Sequence, residues 1–273
     1  MAETIHYIAS DGTDTNLTVS GTYKLIESKG IYEWLAAPVL DNIPFSINVY
    51  RTHTWGPRTI TLRLAIIGSS YAAVQANVRE LLAIFIPDME AEATGTLRVM
   101  TENGDVYEIS VASATPEIEQ VMRSGAIIAL RFAAPNQYWS YLPTGSTSAV
   151  FSGSTAVSMS YYNSGDVSSW PTFVLKGLVK NAKFTYPDSN YILISASTAA
   201  STDWTTIYTK PGDLRVDYQS GGSAASCTNW TGYAGASSVF GRLPISACTI
   251  TLSASTGSAS ATMTWDNLRT GVG

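Results

Sequence analysis

The chain is poor in charge, histidine and cysteine. Only 14% of its 273 residues are charged, against about 25% in an average soluble domain. Lys and Arg number 16 against 21 Asp and Glu, a formal net charge of -5. A mildly acidic chain has no field with which to hold nucleic acid or an acidic membrane surface. With two histidines, His6 and His53, a His-rich metal site is excluded, and a Ser-His-Asp enzyme would have to use one of them. Two cysteines, Cys227 and Cys248, do not make a disulfide framework. They are expected as free thiols in strands or loops, with a single disulfide as the alternative. No apolar run approaches the ~20 residues a membrane-spanning helix needs. The opening Met1-Ala2-Glu3-Thr4-Ile5-His6 has neither a basic nor an apolar region, so no classical signal peptide is expected.

What is present is a large apolar fraction, 45%, with 15 tyrosines. That excludes disorder over most of the length and leaves room for one large all-β domain or two ordinary ones. Strand signals dominate. From Arg58 to Ile66, Ile60, Leu62, Leu64 and Ile66 fall on one face, with Thr61, Arg63 and Ala65 on the other. This is the period of a half-buried antiparallel strand. Ala126–Phe132 repeats it with Ile128, Leu130 and Phe132 inward. Thr96–Thr101 and Val106–Val111 flank Glu102-Asn103-Gly104-Asp105, and Asn-Gly predicts a type I′ hairpin. One segment departs. Val74, Val78, Leu81, Leu82 and Phe85 make a single helical stripe, with an N-cap at Gly68-Ser69-Ser70 and Pro87 as the stop. The first half is therefore expected to be an α+β domain with one helix.

Composition changes near residue 140. The stretch Ser140–Ser148, with Pro143 and Gly145, reads as a linker or first loop. Beyond it no helix is expected. Short strands are predicted at Ala156–Tyr161, Thr172–Leu175, Tyr191–Ser195, Thr205–Thr209, Leu214–Tyr218, Ser237–Arg242, Ala247–Leu252 and Ser258–Trp265. Their spacing argues for a β-sandwich. The expected boundaries are 1–143 and 144–273.

No motif for an enzyme is found: no Gly-x-Ser-x-Gly, no Walker loop, no His-Glu-x-x-His, no paired Cys-x-x-Cys. His53 is expected in a loop beside Trp55. Asp11–Asn16 has the look of a calcium loop, but position twelve is Thr22 rather than Glu, so it reads as a polar turn. The pairs Glu90/Glu92 and Glu117/Glu119 serve glycoside hydrolysis only across a cleft of set width, and solvated surface is the favoured reading. Trp204, Tyr208, Trp230 and Tyr233 suit a sugar-stacking platform; filling the sandwich core or covering a loop is the competing reading. No catalytic residue, metal ligand or cofactor is assigned.

The boundary carries the most specific pattern. Phe132-Ala-Ala-Pro-Asn-Gln-Tyr-Trp139 closes the first half. Asn163-Ser-Gly165-Asp166, followed by Pro171-Thr-Phe173, opens the second. Then come Leu214-Arg-Val-Asp217-Tyr218 and Leu243–Ile250. In this order the residues resemble the distal tail protein family of long-tailed (siphovirus-type) bacteriophages. Arg58–Leu62, Arg79-Glu-Leu-Leu82, Pro87 and Gly95-Thr-Leu-Arg98 are similar to that family's N-terminal belt. The chain departs from the pattern at Asn136, where the family often has Asp, at Asp266 after Trp265, where it often has Arg, and at Ala247-Cys248, where a Gly is usual.

The resemblance implies a mainly β fold: an α+β belt domain, a β-sandwich with one helix, followed by a galectin-like β-sandwich. It implies a structural virion protein of the tail tip, made in the host cytoplasm, forming a homo-oligomeric, commonly hexameric, ring. The ring would join the tail tube protein to the hub or fibre protein, beside the tape-measure protein, with genomic DNA passing the lumen unbound. The outer sandwich would support host recognition, with a host surface glycan as a candidate partner. Oligomer-interface candidates are Asn103 and Gly104, as an arm, with Arg58 and Arg63. Asn163, Gly165, Asp166, Pro171 and Phe173 are expected to be structural. The runner-up is a carbohydrate-binding adhesin or glycan-binding module using Trp204, Trp230 and Tyr233. A glycoside hydrolase is the more distant alternative.

Overall fold

Period-two strands and one amphipathic helix account for most of the first half of the chain. The computed structural model describes residues 3–18, 22–32, 36–41, 49–55, 58–112, 114–198, 200–270 and 272. They divide into two units, Met1–Leu142 with Arg269–Gly273, and Pro143–Leu268. The second unit is thus inserted between Leu142 and Arg269, and the return of the last residues to the first unit was not expected from the sequence.

In the first unit, strands β1 (Thr4–Ile8), β2 (Asp14–Asn16), β7 (Thr94–Met100) and β8 (Val106–Ala112) pair antiparallel in the order β2-β1-β7-β8. The start of β11 (Trp139–Ser152) extends this sheet, Tyr141 opposite Tyr107. A second sheet has the order β3-β6-β10-β9, made of Tyr23–Lys29, Arg58–Ile67, Gly125–Ala134 and Thr115–Val121. Strands β4 (Ala36–Asp41) and β5 (Val49–Trp55) form a separate two-stranded ribbon. The inward residues Ile60, Leu62, Leu64, Ile66, Ile128, Leu130 and Phe132 are fully buried in one core with Ile5, Tyr7 and Val99. Alternation in the sequence therefore translates directly into one apolar face per strand.

Helix α1 (Tyr71–Ala83) packs on β6 and β10 through Val74, Val78 and Leu81. Ser70 is its N-cap and accepts from Ala73 N at 3.2 Å, as a short hydroxyl side chain does at a helix start. Gly68 leaves room for this start, since a Cβ there would lie 2.7 Å from Val74 N. Pro87 does not end the helix. It stands in the first turn of a second helix, α2 (Ile86–Glu90), where a missing N–H costs nothing.

The second unit is a β-sandwich. One layer runs β17-β16-β15-β13-β19-β11, with β13 Thr172–Thr185, β15 Trp204–Tyr208, β16 Arg215–Gln219, β17 Cys227–Asn229 and β19 Thr256–Arg269. The other runs β12-β18-β13-β14, with β12 Val157–Asn163, β14 Tyr191–Ser197 and β18 Ser246–Ser253. Strand β13 belongs to both. Thr172–Lys180 pairs with β19, while Lys183–Thr185 pairs with β18. The switch falls at Asn181, which has φ +53, with a register shift between Lys180 and Ala182. A bulge at a sandwich corner lets one strand change sheets. Phe173, Phe184, Ile192, Ile250, Leu252 and Met263 fill the space between the layers.

Two further expectations fail. Ser140–Ser148 is strand β11 rather than a linker. Gly145 is there because Trp265 lies against it; a Cβ would fall 2.0 Å from the indole. Ser237–Arg242 is not a strand. It meets β14 only through isolated bonds such as Val239 N to Tyr191 O, 2.8 Å, too few for a ladder.

Candidate functional site

The residues singled out by sequence are spread over both units, some at the surface and some buried. The Asn103–Gly104 hairpin stands where expected, between β7 and β8, but its turn is different. Gly104 has φ +88 while Asn103 is not in the left-handed region. Gly104 N donates to Thr101 O at 3.0 Å, and Thr101 N donates to Asp105 O at 2.9 Å. This is the three-residue loop closed by a left-handed glycine, not type I′. Glu102, Asn103 and Gly104 are exposed. Below the tip, Tyr141 donates to Asp105 Oδ1 at 2.9 Å, and the Asp105 carboxylate beside it holds the Tyr141 phenol above its ordinary pKa.

The two arginines differ. Arg63 lies on the outer face of β6, 3.0 Å from Glu27 on β3 and 2.6 Å from Glu119 on β9. Between β6 and β9 runs β10, whose small Ala129 is in register with Arg63 and almost fully covered. Both carboxylates, Glu119 first, push the guanidinium pKa up. Arg58, expected at an interface, is instead 1% exposed. Its guanidinium donates to Gly30 O at 2.7 Å, to Ile31 O, and to Thr270 O. It ties the C-terminal return to the first unit from inside, so it has no surface to offer a partner.

Sequence reasoning missed β9. It is an edge strand, and Thr115, Glu117, Ile118, Glu119, Gln120 and Val121 are exposed, so both of its faces are uncovered. The signal was present in the apolar Ile118, Val121 and Met122 set among Glu and Gln.

The signature loop after β12 is held by hydrogen bonds to the backbone around it. Asn163 is fully buried, donates to Val167 O and Leu243 O, and accepts from Gly165 N at 3.0 Å. Gly165 permits close approach, since a Cβ would meet Leu268 O at 2.6 Å. Asp166 N then donates to Leu268 O at 2.7 Å. Pro171 O accepts from Thr209 Oγ1 at 2.6 Å, and Phe173 packs on Phe184 with centroids 4.4 Å apart.

The aromatic residues do not form one platform. Trp230 stacks on Tyr218 at 4.0 Å and 5°, with Tyr233 tilted beside it, so one indole face is already taken. Trp204 lies on the other face of the same sheet, in register with Gln219 rather than with Tyr218. There it borders a groove of about 410 Å³ whose floor is Thr172, Val174 and Lys176 of β13 and Thr206 of β15. Tyr208 closes the far end. Each ring carries a cation: Lys176 Nζ lies 3.9 Å from the Trp204 centroid, and the Arg215 guanidinium 3.9 Å from Tyr208. Arg215 also pairs with Asp217 at 2.9 Å and with Asp213. Behind Trp204, the buried Asp203 accepts from Tyr218 OH at 2.7 Å, Gly221 N at 3.0 Å and Ala200 N at 2.9 Å. It thereby fixes the turn whose Gly222 approaches the indole; a Cβ would lie 2.8 Å from Nε1.

The remaining candidates are dispersed. His6 is 2.7 Å from Asp14. His53 is on strand β5, not in a loop, and its side chain lies outside the described residues. Asp11 accepts from Thr13 N at 2.8 Å in a turn with Gly12 at φ +89. Glu117 pairs with Arg131 at 2.7 Å and Glu119 with Arg63 at 2.6 Å. Among the described residues no three His, Cys, Asp or Glu side chains gather as a metal site requires. Cys227 and Cys248 are free.

No protein-family model matches the sequence, and no curated protein matches it. Solved structures do. The chain superposes on the SPP1 Dit protein, described as a paradigm of the hub adsorption apparatus in phages infecting Gram-positive hosts, with a TM-score of 0.68 at 13% identity. The match covers 98% of this chain and 99% of that one. The fold is that of a phage Dit protein. A chain of the phage P2 baseplate in its activated, calcium-bound conformation matches with a TM-score of 0.58 at 12% identity over all of both chains. The strontium-bound baseplate gives 0.55 at 11%, covering 96% and 98%. The resemblance read from the Asn163–Phe173 signature thus holds at the level of the fold.

Proposed function

We propose that this chain is a structural subunit of a bacteriophage tail tip, a ring-forming adaptor between the tail tube and the central hub or fibre assembly. The observation that carries the reading is the full-length match to Dit, 98% of this chain on 99% of that one. The physics of the first unit supports it. A ring subunit needs two different surfaces that meet head to tail and close after a fixed rotation. An edge strand uncovered on both faces is one such surface, since its free backbone groups can continue into a neighbour's sheet. β9 has that character, and its Glu119 is held from inside the sheet by Arg63 of β6. The exposed Asn103–Gly104 tip, rigid at its base through Tyr141 and Asp105, is a candidate for the other.

In this reading the chain is not an enzyme. The first unit builds a hexameric ring around a lumen that the tape-measure protein and genomic DNA share. A net charge of -5 opposes multivalent phosphate binding, so DNA passes without being held. The second unit faces outward and supports host recognition. An antibody against the chain, applied to intact phage particles and located by electron microscopy, is expected at the tail tip. Label on the capsid, or on no part of the particle, would overturn the assignment.

A further inference from the structure

We propose that the groove between Trp204 and Tyr208 binds a saccharide unit carrying an anionic group, a carboxylate or a phosphate. The inference does not rest on the adaptor reading; it holds for one chain or for an assembly. The groove, at about 410 Å³, falls in the size range of small-molecule sites. Its floor mixes apolar and hydroxyl surface: Val174 and the threonine methyls beside the Thr172, Thr206 and Thr262 hydroxyls. A pyranose ring presents the same mixture. Trp204 and Tyr208 stand four residues apart on one face of β15, about 13 Å along the strand. A ligand lying along that strand meets an aromatic ring at each end.

The two ends differ in charge. Arg215 is held on Tyr208 by Asp213 and Asp217, so that end is already compensated. Lys176 sits on Trp204, and among the described residues no carboxylate pairs with it. Its flexible stem lets the ammonium leave the indole for an anion while the ring takes the sugar's apolar face. Gln219, at the same end, supplies an amide donor and acceptor. The indole itself is fixed by the Asp203-anchored turn and Gly222, which lowers the ordering cost of binding.

Saturation-transfer NMR on the full chain, with glucuronic acid and glucose 6-phosphate as probes and glucose and inorganic phosphate as controls, tests this. Both charged sugars are expected to receive signal on their ring protons, with glucose binding roughly tenfold more weakly. Lys176→Met, a surface change, should reduce the charged sugars to the level of glucose. Trp204→Ala should remove transfer to all three sugars, and Thr206→Val, which keeps the side-chain volume, should weaken it. Trp230→Phe should leave every signal unchanged. Absence of transfer to the charged sugars, indifference to Lys176→Met, or displacement by inorganic phosphate as effective as by the sugar phosphate would each overturn the proposal.

Discussion

Asp88 is where single-residue chemistry bears most on the first unit. Its carboxylate is 1% exposed and accepts from Tyr7 OH, from Ser10 Oγ at 2.5 Å and from Ser10 N at 3.0 Å. It pins α2 to β1 and to the turn after it. Burial alone would raise its pKa, but the Ser10 and Tyr7 hydrogen bonds outweigh burial and the net shift is downward. Burial and the same carboxylate push the Tyr7 phenol upward. Because the folded chain holds the Asp88 proton less tightly than the unfolded chain, its contribution is complete above about pH 5 and is lost as pH falls through the carboxylate range. Asp88→Ala should cost about 2–3 kcal/mol at neutral pH, having stranded buried donors. The gap between wild type and Asp88→Asn in urea unfolding should narrow from pH 7 to pH 3; a gap independent of pH would contradict this account. None of it was legible in the sequence, because Tyr7 and Asp88 are distant in the chain and only the fold brings them together.

At the scale of elements, the sequence was most informative for long strands and the helix with one buried face, and it missed the short β1, whose Ile5 and Tyr7 point inward. β6 and β10 follow from alternation alone, and α1 from its stripe and its serine cap. It failed where polar composition has a packing cause. β11 looks like a linker because its residues are half exposed and because Gly145 must be small beneath Trp265. β13 was expected to end at Leu175, but Gly177, with φ +122, and Asn181 bend it onward into the second layer. The turn type at Asn103–Gly104 was missed because Asn at the tip tolerates both conformations and the register of β7 against β8 decides between them. Arg58 was misplaced for a related reason: a charged residue at a strand start reads as surface until the carbonyls of Gly30, Ile31 and Thr270 are seen around it. Arg58→Ala should cost about 3 kcal/mol or more, through stranded carbonyls and a lost packing stem. Amide exchange at Thr270 and Val272 should accelerate well before the rest of the first unit; protection retained there would show that the return is held by other contacts.

At the scale of the molecule, the adaptor reading assigns the exposed tip and the exposed edge to neighbours rather than to solvent. Replacing Asn103-Gly104 by Ala-Ala strains a position at φ +88, which costs about 1 kcal/mol or more in a monomer. Its effect on assembly should be larger than its effect on folding, measured as ring yield against thermal midpoint; equal losses would remove the tip from the interface. Asn163 and Gly165 of the second unit's signature loop, by contrast, are buried, and substitutions at these two should reduce folding and assembly together. The central claim is closure of identical chains into a ring. Mass photometry of the purified 29.2 kDa chain, alone and with tail tube or hub protein added, measures that most directly. A discrete closed hexamer, without larger open polymers, is the expected result; a species that stays monomeric with every partner would contradict the account.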